Sequence, residues 1–110
     1  MSKGDYLGEF EQLVLLALIR LEENAYGMTI RQTIEQRTSR PVAIGQVYAA
    51  LERLEQKGFL NSRVGGSEPV RGGRAKKLFR LTPAGARALT RSRSMMARMA
   101  DGLDLPESAG

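Results

Sequence analysis

Apolar residues recur at helical spacing along most of this chain, and the pattern breaks only in a short stretch after position 60. The first apolar stretch predicts a helix over about Leu7–Glu22, with Leu7, Phe10, Val14, Ala17, Leu18 and Leu21 on one face. Leu13, Leu16 and Ile19 fall elsewhere on that helix, so it is apolar on more than one side. Two arrangements fit this pattern: one side meets the domain core and another a partner subunit, or the helix is a single central core element. A second helix is expected with Asn24 as its N-cap. Tyr26, Ile30 and Ile34 then form its inner face, and Gly27 suggests close packing or a tight entry. It should stop near Thr38, because Pro41 disfavours helical geometry at Arg40. The third helix covers about Ile44–Lys57, with Val47, Leu51 and Leu54 turned inward. Gly58 suits the left-handed position just past its end.

From Leu60 the period changes. Leu60–Val64 reads as a strand, Gly65–Gly73 as a turn-rich loop and Ala75–Leu81 as the return strand, which together make a hairpin. Phe79 and Leu81 share one face of the return strand. Thr82 followed by Pro83 marks the start of a fourth helix running to about Asp101. Along it Leu89, Met96, Met99 and Leu103 are spaced as the seam of a short coiled coil, with Ser92 in the missing apolar position. The element order is helix, helix, helix, hairpin, helix. A connection of roughly Ser39–Ala43 joins the second and third helices. That order predicts a mainly α fold, a winged helix-turn-helix with a two-stranded β wing and a C-terminal dimerisation helix. The expected organisation is a DNA-binding domain over 1–82, a dimerisation helix over 83–103 and a flexible tail over 104–110.

Composition narrows the chemistry. The 110 residues suit one compact domain, and the 42% hydrophobic content argues against a disordered chain. Cysteine and histidine are absent. Disulfides, a Cys nucleophile, a His base and zinc sites built on either residue are therefore excluded. No paired acids stand out, so neither an enzyme nor a cofactor or metal is expected. The longest apolar run, Leu13–Ile19, is too short to span a bilayer, which needs roughly 20 residues. The expected location is cytoplasmic, with no membrane partner.

The net charge is +5 and unevenly placed. Arg63, Arg71, Arg74, Lys76, Lys77 and Arg80 crowd the hairpin against only Glu68. Clustered cations there would supply salt-dependent attraction to DNA phosphates, or simply keep an edge strand soluble. On the third helix, Gly45, Gln46, Tyr48, Ala49 and Arg53 are left to face outward or sideways. Gln can pair with adenine and Arg with guanine in the major groove, and small residues let the helix approach closely. Tyr48 fits equally well as a core aromatic with its hydroxyl at the rim. On the fourth helix, Arg87, Arg91 and Arg98 read as a solvated face and Met95, Met96 and Met99 as packing. A winged-helix scaffold serving protein contacts without specific DNA binding is the alternative, and the charge of the wing speaks against it.

Several segments resemble one family. Leu7-Gly8-Glu9-Phe10-Glu11, Tyr26-Gly27, the run Gly45–Gly58 and the run Gly72–Gly85 are similar to the PadR family of bacterial transcriptional regulators. The resemblance spans roughly Leu7–Leu89, and the single helix after the wing fits the family's short branch. It implies a homodimeric repressor that binds an inverted-repeat operator. By the family pattern, Gln46, Tyr48 and Ala49 reach the major groove, while Arg74, Lys76 and Lys77 of the wing meet phosphates. The candidate DNA-binding set is thus Gly45, Gln46, Tyr48, Ala49, Arg53, Arg71, Arg74, Lys76 and Lys77. The first and last helices would form the dimer interface, through Leu7, Phe10 and Leu13 and through Leu89, Met96, Met99 and Leu103. Phe79 stands where relatives usually carry Tyr, so any hydrogen bond made by that hydroxyl is absent here. No residue pattern singles out a small-molecule effector.

Overall fold

The computed structural model describes residues 6–65 and 76–106. Helix α1 spans Glu9–Leu21, α2 Gly27–Thr38, α3 Ile44–Gln56 and α4 Pro83–Ala100. Strands β1, Leu60–Gly65, and β2, Lys76–Leu81, lie between α3 and α4. They pair antiparallel, with Leu60 opposite Leu81 and Gly65 opposite Lys76. This is the winged helix-turn-helix order expected from the sequence.

The core forms where the apolar faces of the three N-terminal helices meet. Val14, Leu15 and Leu18 of α1 pack with Ile30 and Ile34 of α2 and with Val47, Leu51 and Leu54 of α3. Leu60 and Phe79 close it from the wing, and Ala88 and Leu89 from α4. Burying each large aliphatic side chain contributes about 1.5–3 kcal/mol, so the three-helix contact dominates stability.

Local chemistry fixes the joints. Past α3, Gly58 takes a left-handed φ of 80°. Phe59 N–H then donates to Leu54 O at 2.9 Å and Gly58 N–H to Glu55 O at 3.0 Å, which satisfies two end carbonyls of the helix. Thr82 caps α4 by accepting from Gly85 N–H at 3.0 Å, and its hydroxyl donates to Gly58 O at 2.7 Å. The start of α4 is thereby tied to the end of α3. A Cβ on Gly85 would run into the Phe59 carbonyl oxygen, so only glycine permits this crossing. The connection from α2 to α3 turns at Ser39, whose φ of 58° is left-handed. Arg40 then pairs with Glu9 at 2.8 Å.

Three expectations are corrected. Asn24 does not cap α2. It ends a 3-10 turn over Glu22–Asn24, and α2 begins at Gly27 with Tyr26 as N-cap. Ala25 is held extended because its carbonyl accepts from Phe79 N–H of β2 at 2.9 Å, which displaces the helix start by two residues. Tyr26 consequently leaves the inner face of α2, and buried Gly27 takes that place. The seam of α4 is also divided. Leu89 and Ser92 are buried within the protomer, Met96 and Met99 are exposed, and Leu103 lies beyond the last turn of the helix. Finally, Arg91 is not solvated: it is half-buried with its guanidinium 6.0 Å from the Tyr6 ring.

Among the described residues, no helix is long and apolar enough to cross a membrane.

Candidate nucleic-acid interface

With Val47, Ala50, Leu51 and Leu54 buried, the outward face of α3 is set by helical geometry. Gly45, Ala49 and Glu52 run along its middle, and all are exposed. Tyr48 stands on one flank, Gln46 and Arg53 on the other, and these too are exposed. Around Gly45 and Ala49 the centre of the face is therefore nearly bare backbone, with Glu52 further along and Tyr48, Gln46 and Arg53 at its edges. That shape suits close approach to a flat or grooved surface.

Tyr48 is 52% exposed, which removes it from the core. Its ring lies against α2: a Cβ added at Gly27 would sit 2.6 Å from the ring and the hydroxyl. Gly27 thus makes room for Tyr48 to lean across the start of α2. Beside it, Lys76 of the wing places its Nζ 4.4 Å from the centroid of the Tyr26 ring and 3.5 Å from the Tyr26 hydroxyl. Two tyrosines and a lysine therefore gather at the N-terminal end of α2. That end also presents backbone N–H groups and the positive pole of the helix dipole.

The other flank is governed by a buried acid. Glu11 of α1 is 7% exposed and reaches Arg53 at 3.4 Å and Lys57 at 3.8 Å with one carboxylate oxygen. The other oxygen accepts from Gly8 N–H at 3.1 Å. Arg53 is therefore an ion-paired strut between α1 and α3 as well as a surface cation. Glu55 has a similar part at the far end of α3. It accepts from the Ser62 hydroxyl at 2.7 Å and lies 3.9 Å from Lys77 Nζ, which locks both wing strands to the helix. Lys76 and Lys77, adjacent in sequence, thus brace the wing against α2 and α3 respectively. Arg71 and Arg74 lie outside the described residues.

The structure brings Gly45, Gln46, Tyr48, Ala49, Arg53, Lys76 and Lys77 onto α3 and the base of the wing. Sequence reasoning missed Glu11, Glu52 and Tyr26. Glu52 was legible from periodicity, since it follows Gly45 by seven residues. Glu11 gave no signal, because an acid in the first turn of a helix is ordinarily a solvated dipole partner.

Residues 15–91 match the Transcriptional regulator PadR-like family. The chain belongs to that family. This PadR-like regulator is 34% identical over 79 residues to Transcriptional regulator Rv3488 of Mycobacterium tuberculosis, covering 72% of this chain and 69% of the relative. Among solved structures, it is similar to a PadR family transcription regulator from Clostridium difficile R20291, with 26% identity and a TM-score of 0.67 over 84% of this chain and 90% of that one. A PadR family regulator from Eggerthella lenta is 28% identical, with a TM-score of 0.67 over 86% and 81% of the two chains. The resemblance read from the sequence is thus confirmed, and the protein is a transcriptional regulator of PadR-like type.

Proposed function

We propose that this regulator is a homodimeric, sequence-specific DNA-binding protein, acting in the cytoplasm as a repressor at an inverted-repeat operator. The observation that carries the reading is the bare outward face of α3, flanked by Gln46 and Tyr48 and set beside a cationic wing. Gly45 and Ala49 let the helix backbone enter the major groove deeply. Gln46 then presents an amide that can donate to and accept from an adenine edge. Tyr26, Lys76 and the start of α2 meet the phosphate backbone beside that groove, where cations and helix N-terminal N–H groups fix register without reading sequence. Glu52, as an acceptor-only group, favours a cytosine amino group and disfavours phosphate at its position.

Two-fold symmetry in the protein would be mirrored in the DNA, with half-sites about 34 Å apart on one face. Partly exposed apolar side chains of α1 and exposed ones in the second half of α4 offer a surface for such a pairing. Phe10 and Leu13 are half-buried, and Met96 and Met99 are exposed. Leu7 and Leu89, at 6% and 5% exposure, support that surface from within the protomer and do not line it. Titration against a palindromic fragment recovered by the protein from genomic DNA tests the reading. Two protomers per site, with affinity falling steeply as salt rises, is the expected result. One protomer per site, or binding indifferent to salt, contradicts it.

A further inference from the structure

The cations on α3 and beside it are matched by acids of α1. Arg40, in the turn before α3, pairs with Glu9 at 2.8 Å. Arg53 and Lys57, on α3 and just past its end, share one oxygen of Glu11 at 3.4 and 3.8 Å. Arg63, Lys76 and Arg80 of the wing strands make no ion pair with any described residue. Uncompensated positive charge thus sits on the wing, while three cations around α3 are held by the first turn of α1. The two acids hold them differently. The Glu9 side chain is 77% exposed, so Arg40 exchanges it for water or a phosphate at little cost. The Glu11 side chain is 10% exposed, and its second oxygen accepts from Gly8 N–H at 3.1 Å. Arg53 and Lys57 are themselves exposed, yet neither can turn to a phosphate without leaving a nearly buried carboxylate short of a partner.

We propose that Glu11 is a positioning residue that withholds Arg53 and Lys57 from DNA phosphates and so limits how tightly this regulator holds random sequence. This rests on the DNA-binding reading above and adds a determinant of specificity that lies outside the DNA-facing surface. Phosphate contacts are the same on every sequence, so each cation withheld from them weakens binding to random DNA. The same ion pairs brace α3 against α1, which holds the reading helix at one angle for the operator. Glu11 therefore acts on both sides of the ratio between operator and random DNA, and that ratio decides occupancy among many competing sites.

The test measures the affinity of the full chain for random duplex and for a selected operator fragment across a salt series. Thermal unfolding sets a temperature at which each variant is folded. Glu11→Gln should bind random duplex about threefold to tenfold more tightly at low salt, with a salt slope steeper by about 1–2 as one or two cations reach phosphates. Operator affinity should rise less, because α3 loses its brace, so the ratio falls. Adding Arg53→Gln should remove part of the gain and about 1 from the slope. Glu9→Gln adds the same net charge in the same turn, but its exposed pair should move random-duplex affinity by less than about twofold. Glu11→Asp keeps the net charge but draws the carboxylate back by one methylene, and should shift random-duplex affinity in the same direction by a smaller factor. A merely structural role for Glu11 predicts the opposite sign, with both DNAs bound more weakly. A wild-type chain that binds no duplex overturns the DNA-binding reading and this proposal together. If the wild type binds, the proposal alone falls when the folded Glu11 variants hold random duplex no more tightly, or when Glu9→Gln matches the gain of Glu11→Gln.

Discussion

Glu11 shows how much of this fold rests on single side chains outside the apolar pattern. Its carboxylate, in the first turn of α1, gathers Arg53 and Lys57 from α3 and the N–H of Gly8. Replacing it by Gln keeps the shape but loses the charge. The expected cost is about 1–2 kcal/mol, discounted because both cations remain partly in water, and denaturant unfolding would measure it. Ser92 is the matching case in α4. It occupies the missing position of an apolar seam, yet it is fully buried and its hydroxyl accepts from Leu7 N–H at 2.9 Å. Ser92→Ala leaves that N–H without a partner and should destabilise by about 1–2 kcal/mol. If stability is unchanged, the hydrogen bond contributes nothing. Periodicity marked Ser92 as a defect, because a sequence pattern records polarity and not the partner that satisfies it. Glu11 escaped notice for the same reason, its partners lying some forty residues away. At Gly85 the constraint is steric: Gly85→Ala would press against the Phe59 carbonyl, so unfolding should be easier by about 2 kcal/mol or more.

At the scale of elements, the signals that were legible are those that act locally. Gly58 ended α3 and Thr82-Pro83 began α4 as expected, because the cap and the turn are built from neighbouring residues. The start of α2 moved because a distant strand claims the Ala25 carbonyl, and no local signal reports that pairing. The outward face of α3 was largely legible from the apolar spacing, since burial of one face fixes the other. The two linkages from wing to helix were not, as they join Lys76 to Tyr26 and Lys77 to Glu55 across the fold. On the proposed reading α3 specifies and the wing positions, and mutation should show it. Lys76→Ala should weaken binding to all DNA sequences alike and reduce the salt slope by about 1. Gln46→Ala should leave that slope intact and erode the preference for one base by about 1–3 kcal/mol. Equal losses on specific and random DNA for both variants would contradict the division. Gly27→Ala tests the placement of Tyr48, because the added methyl must push the ring aside, and specific affinity should fall with little change in stability.

At the scale of the molecule, the core belongs to the first three helices and the wing, and α4 joins it only through its first half. The exposed second half, with Met96 and Met99, gives the chain a surface that a single copy leaves unfilled. In the proposed homodimer, symmetry would turn two identical α3 helices into a device for reading one palindrome, and net charge would bring it to DNA from a distance. The fold does not dictate this use; the proposal rests on the residues of α3 and the wing. Selection from a random double-stranded library at two salt concentrations, followed by sequencing, tests the claim most directly. A palindrome with half-sites about one helical turn apart should be enriched, and Gln46→Ala should abolish its enrichment. Retention of all sequences alike by the intact protein would show that α3 reads nothing, and the account of this chain as an operator-binding regulator would fall.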